Sequence, residues 1–197
     1  MSPAGATTAS RVLVVGSDTA SYSDALRAAL RQDPDIIMVG ELRDRESADI
    51  CLKAAETGHL VITSLHTPDV PRAIGRVVGL FPSDEQDTVR ARLADNLQAV
   101  IALRLLLRAD AAGLIPAVEA LLATSTVREM IRDGNRIKEL RAYMETAGAD
   151  LGMHSFDQYL YKLHEAKRIS LDTALGNATN RADLERRILI ETGGRSA

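Results

Sequence analysis

The sequence predicts an α/β fold, a parallel sheet core followed by a helical C-terminal domain. Two observations carry that prediction. Ile36–Val39 and Leu60–Thr63 are short apolar runs with helical periodicity between them, a strand–helix–strand unit of about thirty residues that implies a parallel pair with a right-handed crossover. From Thr126 onwards the apolar spacing is helical throughout. The composition, 46% hydrophobic and 26% charged over 197 residues, is that of a globular protein with a sizeable core.

The elements follow in order. Residues 1–10 (MSPAGATTAS) are small and polar and read as a disordered leader, and residues 12–15 form a short β-branched run ended by Gly16. Tyr22, Leu26 and Leu30 recur at spacing four, opened by Ser21 with Asp24 three residues on, a capping-box pattern, and Pro34 ends that helix. The two apolar runs read as strands buried on both faces. Between them residues 48–55 carry helical spacing, closed by Gly58 as a C-cap. A helix starts after Pro82 and Ser83 with a Val89, Leu93, Leu97 stripe, then gives way to a strand over 100–107. Gly113 marks a turn, and the ambiguous run 115–122 leans towards strand. Thr126 with Glu129 reads as another capping box; Ile137, Leu140 and Met144 form one stripe, Phe156, Leu160 and Leu163 another, with Gly148, Gly152 and Gly176 as punctuation. The domain boundaries drawn from this are 1–10, 11–122 and 123–192.

Composition also excludes. One cysteine, Cys51, rules out an internal disulfide framework and a cysteine zinc cage, and fits a reducing compartment. A net charge of −3 and six Phe and Tyr residues without Trp argue against a nucleic-acid partner. No run approaches eighteen apolar residues and no signal-peptide pattern opens the chain, so the expectation is a cytoplasmic protein.

Parallel strands bring their carboxyl ends to one edge of a sheet, where ligands of α/β proteins bind. The first strand delivers Gly40-Glu41-Leu42-Arg43-Asp44 there, and the second delivers Ser64-Leu65-His66-Thr67. Glu41 could orient and deprotonate a water, His66 could donate to a charged leaving or transferring group, and Arg43 could supply positive charge for phosphate. The alternatives are a solvated loop glutamate, a loop histidine, and a local ion-pair cluster of Glu41, Arg43 and Asp44. His59 opens its strand at the far end and reads as structural or subunit-contacting. No residues are assigned to a metal.

Residues 25–44, then Ala55-Glu56-Thr57-Gly58-His59-Leu60 and Leu65-His66-Thr67, resemble the secretion ATPases that drive type II secretion and type IV pili. The VGELRD segment resembles that family's Walker B, and the ETGHL and LHT segments its histidine box. Thr126-Val127-Arg128-Glu129-Met130-Ile131-Arg132, and the run from Gly152 to Gln158 followed by Arg168-Ile169-Ser170 and Ala174-Leu175, are similar to the pilus-retraction branch, as is the lack of a four-cysteine zinc insert. The resemblance covers residues from about 11 to 190 and points to the twitching-motility branch and its accessory paralogue. It implies a partial RecA-like P-loop NTPase core and ATP with Mg as cofactors. It makes Glu41 the catalytic base, with His66 and Arg43 beside it, and gives Asp44, Thr67 and His59 to cofactor binding. It further implies homo- or hetero-hexamers with pilus ATPase subunits, an inner-membrane platform protein as partner, and a peripheral place at the inner membrane.

None of the thirteen glycines precedes a lysine, so these residues hold no Walker A loop. A base and a histidine without a phosphate cradle should turn over little ATP. Strands that a RecA-like core normally has are expected to be missing too, leaving unmatched apolar surface. Two functions follow: the catalytic-edge and C-terminal part of a retraction ATPase, inactive alone, or a non-catalytic module that enters or caps rings of full-length subunits. For the second, Arg128, Arg132 and the Phe156 to Leu163 stripe are candidate contacts.

Overall fold

Ser21 starts the first helix, α1 (Tyr22–Leu30), by accepting the Asp24 N–H on its hydroxyl at 3.1 Å. A computed structural model gives the fold and describes residues 18–32, 34–146 and 149–193. The leader at 1–10 and the apolar run at 12–15 lie outside the described residues. The chain divides into two units, 1–64 and 65–197.

In the first unit α1 is followed by β1 (Ile36–Val39), α2 (Arg45–Glu56) and β2 (Leu60–Thr63). β1 and β2 pair in parallel, Ile36 opposite Leu60 through Val39 opposite Thr63, as the strand–helix–strand pattern predicts. Gly58 closes α2 at φ +98°, a left-handed conformation that a side chain would strain. Arg27 of α1 reaches Glu46 of α2 at 2.7 Å.

The expectation that both strands are buried on two faces is corrected. Ile37 and Val39 are buried, but Met38 is 78% exposed, and Ile36, Leu60 and Ile62 join it on one bare face. A continuous apolar run signals cover on both sides. Within the first unit the helices lend apolar side chains such as Leu26, Ile50 and Leu52 to one face of the sheet, and none of them covers the face that carries Met38.

The second unit holds α3 (Val70–Val78), α4 (Gln86–Asn96), β3 (Ala99–Leu107), β4 (Leu114–Leu122), α5 (Ser125–Arg132), α6 (Leu140–Glu145), α7 (Phe156–Glu165), α8 (Leu171–Asn177) and α9 (Arg181–Gly193). Short 3₁₀ segments lie at Gly134–Glu139 and Ala149–Leu151. Helix α3 was not foreseen, although Asp69 caps it and Pro71 sits in its first turn. β3 and β4 form an antiparallel ribbon from Ala99 opposite Leu122 to Leu107 opposite Leu114, turned by Gly113 at φ +103°. The apolar run 115–122 is therefore strand.

The ribbon sits with the helices, which is why the division falls after Ser64 and not where the helical periodicity takes over. Ala120 and His154 exchange backbone hydrogen bonds at 3.0 and 3.2 Å, and Ala109 N–H donates to the Arg168 carbonyl at 2.8 Å. Two local expectations move. Thr124, not Thr126, caps α5, its hydroxyl accepting the Val127 N–H at 3.3 Å, because the Ala123 N–H still pairs with the Gln98 carbonyl at the ribbon's end. Gly176 lies inside α8 instead of closing a helix. The Phe156, Leu160, Leu163 stripe is core, opened by a full capping box of Ser155 and Gln158.

Candidate functional site

The pairing of β1 with β2 continues past the strands. Leu42 N–H donates to the Ser64 carbonyl at 3.1 Å, and the Ser64 hydroxyl donates to the Gly40 carbonyl. Leu42, 4% exposed, anchors the loop inward, with Glu41 and Arg43 on either side of it at the carboxyl edge of the sheet. Arg43 Nε donates to Glu41 Oε2 at 2.5 Å, with the Glu41 side chain 19% and the Arg43 side chain 68% exposed. The Glu41 carboxylate raises the already high pKa of Arg43 through that hydrogen bond.

Asp44 is engaged locally. Its carboxylate caps α2, one oxygen accepting the Ser47 N–H at 2.8 Å and the other the Ser47 hydroxyl at 3.2 Å. His59 lies at the amino end of β2, about 13 Å from the carboxyl edge at 3.3 Å per residue over four residues. Its Nδ1 is held by the Ala54 carbonyl at 3.0 Å and the Thr57 hydroxyl at 3.1 Å. The first unit thus joins Glu41 to Arg43, commits Asp44 to a helix cap and sets His59 at the opposite edge.

His66 and Thr67 open the second unit. Thr67 N–H donates to the Leu65 carbonyl at 3.1 Å, a three-residue turn centred on His66. Asp69 then caps α3, accepting the Arg72 N–H at 2.9 Å.

Two charged residues that the sequence reading passed over flank this loop. Arg104 of β3 donates to the Pro68 carbonyl at 3.1 Å, and Glu119 of β4 accepts the Val70 N–H at 2.8 Å. The available signal was a lone charge at a core-facing position of each apolar strand.

ATP and Mg, the cofactors the resemblance implies, do not find a complete site in these residues. Arg43 is taken up by Glu41 and Asp44 by its cap, no lysine follows any glycine, and no group of three or more metal-ligating side chains occurs among the described residues. A polar hollow of about 290 Å³ between α6, α7 and α9 is lined by Arg141, Asp157, Asp183 and Arg187. Asp157 is already spent there, accepting the Thr179 and Asn180 N–H groups at 2.7 and 2.8 Å.

The model of the family described as "Type II/IV secretion system protein" matches residues 6–160. The chain belongs to this family. Among members of the type II/IV secretion family, it is 41% identical over 162 residues to a twitching motility protein of Neisseria gonorrhoeae, covering 82% of this chain and 43% of that protein. It is 38% identical over 182 residues to the type IV pilus ATPase PilU of Pseudomonas aeruginosa, covering 92% of this chain and 47% of PilU. The crystal structure of the pilus retraction motor PilT with bound ADP superposes with a TM-score of 0.76 at 40% identity, over 87% of this chain and 48% of that one. The ATPase DotB of Legionella pneumophila superposes with a TM-score of 0.71 at 26% identity, over 80% of this chain and 42% of DotB. The chain spans less than half the length of each. Its fold is a partial RecA-like core followed by helices. No helix among the described residues is long and apolar enough to cross a membrane.

Proposed function

We propose that these residues form the catalytic-edge and C-terminal part of a type IV pilus retraction ATPase, which couples ATP hydrolysis to pilus disassembly through a phosphate-binding loop that lies outside them. The observation that carries the reading is the likeness to the pilus retraction motor at 40% identity and a TM-score of 0.76. Glu41 is the carboxylate that orients water, Arg43 holds it at the sheet edge, and His66 with Thr67 forms the loop that reads the phosphates. The subunits it joins are pilus ATPase subunits in a hexamer at the cytoplasmic face of the inner membrane, against the platform protein.

Alone, the chain releases phosphate from Mg-ATP at the rate of buffer. Phosphate release measured on the purified chain tests this; turnover that disappears in Glu41→Gln would overturn the inactivity while identifying the base. Hydrolysis that arises only on mixing with a full-length retraction ATPase carrying its own base mutation, and is lost again in Glu41→Gln of this chain, supports this reading.

One observation favours the second reading, a non-catalytic module that binds rings of full-length subunits. The outer face of the ribbon presents Ile101, Leu103, Leu105 and Leu107, each at least 59% exposed, next to Leu114 and Leu122. The contacts first suggested by sequence are used internally. Arg128 donates to the Ala94 and Asp95 carbonyls, Arg132 pairs with Asp95, and the Phe156 stripe is buried. Co-elution with a ring in the absence of any turnover distinguishes this reading from the first.

A further inference from the structure

Arg104 and Glu119 occupy the same face of the ribbon, the one that packs inward with Ala102, Leu106, Ala117 and Leu121. In the register Arg104 stands opposite Ala117 and Glu119 opposite Ala102, so the two charges are diagonal neighbours, each facing an alanine across the ladder. An alanine partner leaves room for a long polar side chain to leave the ribbon and reach a neighbouring segment. Both side chains reach the same one. Arg104 Nη2 donates to the Pro68 carbonyl at 3.1 Å, and the fully buried Glu119 accepts the Val70 N–H at 2.8 Å. Between these bonds lies Asp69, and immediately before them the turn that carries His66 and Thr67.

Arg104 is also tied to the C-terminal helices. Its other terminal nitrogen donates to the Asn177 carbonyl at the end of α8 at 2.6 Å, and its guanidinium lies 4.0 Å over the Phe156 ring at the start of α7. An arginine satisfied by two carbonyls and a ring in fixed planar geometry is not replaceable by a point charge without loss.

We propose that Arg104 and Glu119 are positioning residues: together they clasp the loop that follows His66 and link its placement to helices α7 and α8. The value of this clasp for nucleotide chemistry rests on the reading of His66 given above, whereas the clasp itself is testable without nucleotide.

The test is NMR of the full 197-residue chain, wild type against Arg104→Gln, Arg104→Lys and Glu119→Gln, with the His66 ring signal assigned through His66→Gln. Arg104→Gln is expected to shift the His66 ring resonance and to speed amide exchange at Val70 by about tenfold, the factor for one lost charge-assisted hydrogen bond. Amides in the middle of the β3–β4 ladder keep their wild-type exchange, and Arg104→Lys recovers part of the effect. An unmoved His66 signal, or exchange that rises equally in loop and ladder, overturns the proposal. Should Arg104→Gln fail to fold, Glu119→Gln with its retained shape must give the same selective change at Val70 and His66. Mixing the wild type with a base-mutated full-length retraction ATPase and Mg-ATP tests the other reading: no phosphate release from the mixture counts against the ATPase function and leaves the clasp result standing.

Discussion

The carboxylate of Glu119 holds the first N–H of α3, that of Val70, at 2.8 Å from a position with no solvent exposure. Among the described residues its second oxygen makes no full hydrogen bond, although the Phe156 backbone N–H lies near enough to favour the charged form. Burial pushes the Glu119 pKa above its ordinary 4.5, an effect that the Val70 N–H and the charge of Arg141 only partly offset against the added repulsion of Asp69.

The folded chain therefore holds this proton more tightly than the unfolded chain does. The resulting stability is present below pH 4.5 and is lost as pH rises through the folded value. Glu119→Gln should flatten that decline, because the titrating group is gone, while leaving Val70 only a weaker, neutral acceptor. Glu119→Ala should cost about 1–3 kcal/mol by leaving the N–H unpaired in the core. Urea midpoints at pH 5 and pH 8 for the three proteins check both statements.

Asp44 offers a separation of roles. As the cap of α2, its loss in Asp44→Ala should cost about 1 kcal/mol, and Asp44→Ser should restore most of that. Thermal unfolding decides it: a serine variant as unstable as the alanine variant removes the capping account.

Cys51 is 7% exposed, and burial together with the charge of Asp44 pushes its thiol up to about 11. Iodoacetamide at pH 8 should leave the folded protein unlabelled on the timescale that labels it fully in denaturant. Rapid labelling of the folded chain would show that α2 opens readily.

The outer ribbon face gives a fourth expectation. Leu103→Thr with Leu105→Thr places a strand-favouring β-branched residue at each position and removes exposed apolar surface, so stability should move by less than about 0.5 kcal/mol while self-association falls. Light scattering across a concentration series reads the second effect, and thermal unfolding the first.

The strand–helix–strand unit and its parallel pairing were legible because period and punctuation coincide: apolar runs of strand length, and Gly58 where a left-handed residue is needed. The placement of Glu41 and Arg43 at the carboxyl edge of the parallel pair, and the ion pair between them, were legible. What the sequence hides is which face is covered, since Ile36 and Met38 are as apolar as Ile37 and Val39 and only tertiary partners tell them apart. It hides Asp44's cap for a similar reason, because an aspartate before a helix satisfies a backbone donor as readily as a ligand. Arg104 and Glu119 escaped because attention to apolar periodicity discounts a lone charge, although at strand spacing such a charge must find a partner inside.

Among the described residues, a parallel pair of only four residues per strand, with one face exposed, is the shortest sheet. Its consequence is a cleavage pattern. Under limited trypsin the first sixty-odd residues should be nicked while the ribbon and its helices survive as a resistant fragment. Inside a cell the survival time of the whole chain would then be set by whatever shields Met38 from degradation.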